Sequence, residues 1–288
     1  MSTSRELKGR ISSVNSSQKI TGAMKMIASA RLRKVETALS HTRPYLDELQ
    51  RMLERVAAGE GDYLSPLAAS RPARRVALVI FGSDDGLCGS FNVMLYKKLV
   101  EATNAYAGAE SIKVYPIGRK IQAEVRKNPS LEIMPIPEAI LAKEYATGML
   151  TLADDLIRQY LAGEVDRVEI IYAHFKSIGT QIMTRLPFLP WQGAGTDKLP
   201  ASERNKDYIY EPDRGAIIDM LYPLVLRATL FRALLENQIS EQAARILSMQ
   251  MANDNATKLL KSLQLEYNKL RQQNITSELL DIVGGTIE

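Results

Sequence analysis

VLRATLFRALLENQISEQAARILSMQMANDNATKLLKSLQLEYNKL, residues 225–270, decides the fold. Apolar or small residues recur there in steps of three and four, as Val225, Ala228, Phe231, Leu235, Ile239, Ala243, Ile246, Met249, Asn253, Ala256, Leu260, Leu263, Tyr267 and Leu270. That spacing covers one face of an α-helix and asks for a partner helix along its length. No proline follows Pro223. A helix from about Ile217 to Val283 is therefore predicted, on the order of 100 Å long at 1.5 Å per residue. Nothing stronger than the polar seam position Asn253 interrupts it.

The partner lies at the other end of the sequence. Leu7, Ile11, Val14, Ala28, Leu32, Val35, Leu39, Leu46, Leu49, Leu53 and Val56 keep the same rhythm, with polar Gln18, Thr21 and Lys25 in register between them. One helix over residues 5–57 is predicted, about 80 Å long, with Pro44 the place for a kink. The polar break at Gln18, Thr21 and Lys25 is expected to face something less oily than a helix partner. Two long seams in one chain predict an antiparallel pair. The C-terminal seam is the longer, so its last turns project beyond the partner unless another protein covers them.

Between the seams the period changes. Val76–Phe81, Lys113–Ile117, Leu131–Ile136, Arg167–Phe175 and Gln181–Pro187 read as strands, and Asn92–Tyr106, Arg119–Lys127 and Pro137–Ala162 as helices. That alternation predicts a mostly parallel sheet with crossover helices. Residues 193–213 read as a linker with one short strand at Tyr208–Tyr210. The fold class is thus α/β, a long antiparallel coiled coil of the terminal helices plus a central Rossmann-like domain. Its divisions are an N-terminal coiled-coil helix (1–57), the α/β domain (74–212) and a C-terminal coiled-coil helix (213–288).

Composition removes several function classes. Cys88 is the only cysteine, and His41 and His174 stand far apart, so neither a disulfide framework nor a Cys/His metal site can be assembled within one chain. No apolar run approaches the roughly 20 residues of a spanning helix, and the N-terminus lacks a signal-type apolar core, so any membrane association is expected to be peripheral. The net charge of +4 is mild. Its placement is more telling: Arg5, Lys8, Arg10, Lys19, Lys25, Arg31, Arg33 and Lys34 are opposed before residue 36 only by Glu6. Such a run is either a solvated helical face or a surface for an acidic partner. No aromatic residues interleave with it, which counts against single-stranded nucleic acid.

No active site can be built from the residue patterns. Strand Val76–Phe81 runs into Gly82-Ser83-Asp84-Asp85-Gly86-Leu87-Cys88-Gly89-Ser90-Phe91-Asn92, a glycine-rich turn before a helix. The glycine spacing is not that of a dinucleotide fingerprint, and Asp84 and Asp85 repel phosphate, so the turn is read as structural. Cys88 reads as a small buried residue. Asp154 and Asp155 are adjacent on a helix and point about 100° apart, too far to share one proton. His174 has no partner recognisable by spacing and reads as a structural histidine.

Three segments together resemble the gamma subunit family of F-type ATP synthases of the bacterial type. Gln18-Lys19-Ile20-Thr21-Gly22-Ala23-Met24-Lys25-Met26-Ile27-Ala28-Ser29-Ala30-Arg31-Leu32-Arg33 is similar to TQKITKAMKMVAAAKLRR, and Ser83 through Asn92 to SDRGLCGGFN. Met249 through Ala256 and Tyr267 through Leu279 are similar to MxxATDNA and YNKxRQxxITxEL. The resemblance implies a non-catalytic rotor shaft turning inside a hexamer of alpha and beta subunits. It implies coupling of proton flow to ATP synthesis or hydrolysis, with regulation of ATPase activity and proton flow. The implied partners include the epsilon subunit and the membrane c ring. It implies no cofactor, no metal, no nucleic acid and no small-molecule substrate of its own, and a peripheral location on the cytoplasmic side of the plasma membrane.

Carried over residue by residue, Met24 and Lys25 meet the beta-subunit levers, Arg271, Gln272 and Thr276 the beta-subunit catch loops, and Ile282, Val283 and Ile287 the apical bearing. The chain departs from the pattern at Gly22 (commonly lysine), Asp85 (arginine) and Ser90 (glycine). Gly22 is expected to soften the helix where it meets the levers. No insert with paired cysteines is present, which argues against redox gating. The rival readings, a Rossmann-type oxidoreductase and a coiled-coil adaptor for nucleic acid or an anionic membrane, lack a fingerprint in one case and rest only on the basic helix in the other.

Overall fold

The computed structural model describes residues 3–58, 63, 65–192 and 209–284. In chain order the elements are α1 (Ser4–Ala58), β1 (Arg75–Phe81), α2 (Phe91–Ala105), β2 (Ser111–Ile117), α3 (Arg119–Val125), β3 (Glu132–Ile133), α4 (Glu138–Leu141), α5 (Tyr145–Leu161), β4 (Arg167–Ser177), β5 (Thr180–Leu189) and α6 (Arg214–Gly284). They form two compact units. One comprises the helical segments up to Ala30 and from Arg245, and the other spans Arg31–Ala244. No described helix is long and apolar enough to cross a membrane.

In the Arg31–Ala244 unit the strands form one sheet in the order β3-β2-β1-β4-β5. The β1–β2, β1–β4 and β2–β3 pairs are parallel, and β4 and β5 form an antiparallel hairpin. β1 is central and buried on both faces. Ala77, Val79 and Phe81 enter the core shared with α5 and with parts of α1 and α6, while Val76, Leu78 and Ile80 pack against α2 and α3. Strand alternation sends successive side chains to opposite faces. Because both faces are covered, β1 reads as a continuous apolar run.

The expected strands and helices are present with three differences. β3 holds only two residues where Leu131–Ile136 was expected. The single helix expected over Pro137–Ala162 is two, α4 and α5, broken at Ala142–Glu144 with Lys143 in the left-handed region at φ 66°. The break has a steric reason. A Cβ at Gly148 would sit 2.4 Å from the Ile140 side chain, so α4 folds back onto the first turn of α5 through a position only glycine can fill. Residues 193–208 of the expected linker lie outside the described residues. Ile209 and Tyr210 are not in a strand. Both long helices continue through their prolines, Pro44 and Pro223.

α6 is the core helix of this unit. From Val225 to Ala244 most of its positions are buried, because α1 covers one face and the sheet the other. Its polar residues on the sheet side have specific work. β4 extends past the last β1 pairing, Ile80 with Ile171. Beyond that point Asn237 Oδ1 accepts the Ala173 N–H at 3.1 Å, and Ser240 Oγ donates to the Ala173 carbonyl at 2.8 Å. Next along β4, His174 Nδ1 lies 2.6 Å from Glu236, which Arg232 also meets at 2.8 Å. His174 is thus a structural histidine with a buried carboxylate partner. Asp154 and Asp155 serve different partners, Arg227 on α6 and Arg158 on their own helix.

At the opposite end of β4, Asp166 ties two strands together. It accepts the Arg75 backbone N–H at 2.9 Å and the guanidinium at 2.9 and 3.2 Å. Burial alone would raise its carboxyl pKa, but the hydrogen bonds from Arg75 hold it below the usual carboxylate range. Two predictions follow from these contacts. Asn237→Ala leaves the Ala173 N–H buried without an acceptor and should cost about 1–3 kcal/mol in urea denaturation of the full chain. The Asp166 contribution is complete above its unfolded pKa of about 4 and is lost as pH falls through the lowered folded value. Asp166→Asn should therefore flatten the fall of the urea midpoint below about pH 4.

Candidate functional site

The unit built from the two chain ends is an antiparallel helix pair with one constant register. Lys25 Nζ donates to Gln250, Gln18 Nε2 to Thr257 at 2.7 Å, and Lys8 lies over the Tyr267 ring at 5.6 Å. Each step down α1 is matched by an equal step up α6, and the first step, from Lys25 to Gln18 against Gln250 to Thr257, is one heptad. Asn253 Nδ2 adds a bond to the Gln18 carbonyl at 3.1 Å in the same register. A hydrogen bond from Lys8 lowers the pKa of the Tyr267 phenol, so the contact is polar as well as aromatic.

The polar break at Gln18, Thr21 and Lys25 does face a helix partner, contrary to expectation. Its partners are polar themselves: α6 presents Gln250, Asn253 and Thr257 at that level, so the oily seam is replaced by hydrogen-bonded rungs. Polar seam positions of this kind fix register at a cost in stability. Apolar burial in the unit is correspondingly thin. Among large apolar side chains, Leu7, Met249 and Leu263 are buried, and the small Ala28 is fully buried as well.

The outer faces are more informative. Ile20 (60% exposed), Met26 (69%), Ile27, Met251, Leu265 (72%) and Leu280 (67%) point away from the seam. Exposed apolar surface on this scale marks contact sites for other molecules. Sequence reasoning followed the heptad seam and missed these residues. The signal was present as a second set of apolar positions off the seam, alongside a basic run.

Of the predicted contact residues, Met24 and Lys25 lie half-buried side by side on α1. Lys25 is turned inward to Gln250. Arg271, Gln272 and Thr276 are exposed on α6, where the Thr276 hydroxyl donates to the Gln272 carbonyl at 2.9 Å. The register places Met24 and Lys25 beside Gln250 and Met251, roughly twenty residues or about 30 Å along α6 from Arg271. The candidate residues therefore lie at two separate levels of the helix pair. Ile282 and Val283 lie within the last turns of α6, and Ile287 lies outside the described residues.

The glycine-rich turn after β1 closes on itself. Asn92 Oδ1 accepts the Ser83 N–H at 3.0 Å, its Nδ2 donates to Ser83 Oγ at 2.7 Å, and Ser83 Oγ donates to the Asp85 carbonyl at 2.8 Å. Cys88 is buried beneath it. The turn crosses β2 where Gly118 adopts φ 113° and a Cβ would meet the Gly82 carbonyl carbon at 2.8 Å. Polar groups used in this way are not aimed at a phosphate.

The ATP synthase family profile matches residues 3–287. The chain is 40% identical to the ATP synthase gamma chain of Phocaeicola vulgatus, with all of both chains covered. It is 39% identical to that of Parabacteroides distasonis, over 99% of this chain and 98% of the relative. Among solved structures it is similar to a chain of the Euglena gracilis mitochondrial ATP synthase rotor (TM-score 0.60, 17% identity, 94% and 98% of the two chains covered). It is also similar to one from the central stalk and c-ring of the Tetrahymena thermophila enzyme (TM-score 0.55, 21% identity, 81% and 99% covered). At these identities the structural likeness is one of fold.

Gly22 offers a direct test of the pair. A Cβ there would lie 3.5 Å from Asn253 Nδ2, an ordinary contact. Gly22→Ala should therefore raise stability by about 0.5–1 kcal/mol through helix propensity. A lower urea midpoint for the full-length variant would show instead that Asn253 needs the open space to reach the Gln18 carbonyl.

Proposed function

The chain belongs to the gamma subunit family of F-type ATP synthases, the non-catalytic rotor of the central stalk, and from that premise we propose how it works. It couples proton flow through the membrane sector to the conformational cycle of the catalytic beta subunits, as one copy within a hexamer of alpha and beta subunits. The observation that carries this reading is the helix pair itself, thinly buried along its seam and apolar on its outer faces. Such a pair is completed by a surrounding surface, and a hexamer with an apolar bore supplies one.

No chemistry is asked of this chain. A partner shifts a conformational equilibrium by touching the alternative states differently. A shaft whose sides carry different residues meets each beta subunit with a different face, so each catalytic site is held in a different state, and rotation exchanges those states. Met24 and Lys25 serve the lower contact with acidic lever segments, where the basic run of α1 supplies the complementary charge. Arg271, Gln272 and Thr276 serve the upper contact with the beta catch loops, and Ile282, Val283 and Ile287 turn in the apical bearing. The α/β unit joins the epsilon subunit and the c ring, so the chain works as a peripheral protein on the cytoplasmic side of the plasma membrane. Contacts that resist rotation also regulate ATP hydrolysis and proton flow.

Co-expression with matching alpha and beta subunits tests the proposal. One copy of the chain per hexamer and a gain of steady ATP turnover are expected. Arg271→Ala should then lower turnover about tenfold, the effect of ~1.4 kcal/mol lost from one state, while the complex still assembles. A hexamer that assembles and turns over at full rate without this chain would sink the rotor reading.

A further inference from the structure

A groove of about 670 Å³ opens at the carboxyl ends of β1 and β2, within the Arg31–Ala244 unit. Ligands of parallel α/β sheets gather at that end of the strands. The floor includes Ile140, Phe231, Leu234 and Leu235, and the rim is charged. Two aspartates of the glycine-rich turn stand on that rim, Asp85 ion-paired within the chain and Asp84 held by neutral hydrogen-bond donors. Asp85 pairs with Arg119 at 3.2 Å and with Arg31 at 3.7 Å. Asp84 accepts the Arg119 backbone N–H at 3.1 Å and the Tyr145 hydroxyl at 3.2 Å. Glu241 accepts from Gln242 Nε2 at 3.4 Å. The repulsion that Asp85 would exert on an anion is reduced by its two arginines, and the rim carries the four cations Arg31, Lys34, Arg119 and Lys143 against the three acids Asp84, Asp85 and Glu241.

Two cations on the same rim, Lys34 of α1 and Lys143, have no ion-pair partner among the described residues. Lys143 is also the residue held at φ 66° in the break between α4 and α5. A side chain other than glycine in that conformation is strained, and such strain gathers at functional positions. Gln242 lines the groove at 7% exposure, and its Oε1 meets no donor among the described residues. Two unpaired ammonium groups and a buried, unused amide acceptor above an apolar floor share one complement. It is a molecule with an anionic group, a hydroxyl or N–H donor and an apolar body.

We propose that this groove binds a small organic anion of that class, with Lys34 and Lys143 on the anionic group, Gln242 Oε1 on the donor and Phe231 with Leu235 under the apolar body. Occupancy ties α1 to the α4–α5 break, two elements that the groove otherwise separates.

The test is a fluorescence titration of the full chain with 8-anilinonaphthalene-1-sulfonate, which carries a sulfonate, an N–H donor and an apolar body. Saturable binding is expected. Lys34→Gln and Lys143→Gln should each weaken it by about fivefold, the upper range for one exposed charge contact. Lys143→Arg, which keeps the charge, should retain binding and shows that a loss in Lys143→Gln is not a folding defect. Displacement of the dye by ADP or by decanoate then tells whether a phosphate or a carboxylate is the natural anionic group. Binding unchanged in the Lys34→Gln/Lys143→Gln double variant would overturn the proposal, as would failure of both competitors to displace the dye.

Discussion

The α/β unit depends on one helical segment being buried on two faces at once. Between Val225 and Ala244, α6 packs α1 against one side and the sheet against the other. A helix buried on two faces is favoured when its polar residues find partners, since an unpaired buried polar group costs more than a hydrogen bond returns; Thr229 Oγ1 and Gln242 Oε1 find none among the described residues. Asn237 and Ser240 meet that requirement through the Ala173 backbone, and Glu236 through His174 and Arg232. The sheet gains by the same contacts. β4 runs past the end of β1 with backbone groups that no strand reaches, and the helix supplies the missing ladder.

The unit of the chain ends solves the opposite problem. It has little to bury, so hydrophobic contact alone defines its register weakly. Hydrogen bonds do the selecting there. Lys25 with Gln250, Gln18 with Thr257 and Asn253 with the Gln18 carbonyl agree on a single alignment. A one-heptad slip that brings Gln18 level with Gln250 would set Asn253 opposite Asn15, so the Asn253 bond to the Gln18 carbonyl would be lost. The polar rungs exchange some stability for a fixed alignment, a use of polar seam residues that coiled coils share.

Much of this was legible in the sequence because the heptad spacing is long and regular. Every seam position read in α6, from Val225 to Leu270, is buried or half-buried. What escaped were features that depend on contacts distant in sequence. The break at Lys143 follows from Ile140 pressing on Gly148, which a helical pattern through residues 137–162 does not reveal. The polar break in α1 was correctly located and given the wrong neighbour, because its complement lies more than two hundred residues away at Gln250, Asn253 and Thr257. The outward Ile20, Met26, Met251 and Leu265 lie off the seam, and periodicity alone does not distinguish an apolar residue left in solvent from one that a neighbour covers.

The two solutions are complementary in what they leave unfinished. Around Val225–Ala244 the apolar surface of α6 is covered from within the chain, and further out along the same helix it is not. A side chain such as Leu265, 72% exposed on a helix already engaged by its partner, gains nothing from the isolated chain's own fold. Removing such a side chain from water is worth roughly 1.5–3 kcal/mol once a second surface covers it. Several such residues on one helix pair supply an affinity that requires no shape of their own, only a bore of the right width. Affinity of that kind is largely non-directional and does not lock the pair at one rotational position. Under the proposed contacts, discrimination among positions falls to the directional groups, the charges of α1 and the polar side chains at Arg271, Gln272 and Thr276. An apolar surface that holds without orienting, together with a few polar groups that orient without holding, is the division of labour a turning shaft requires.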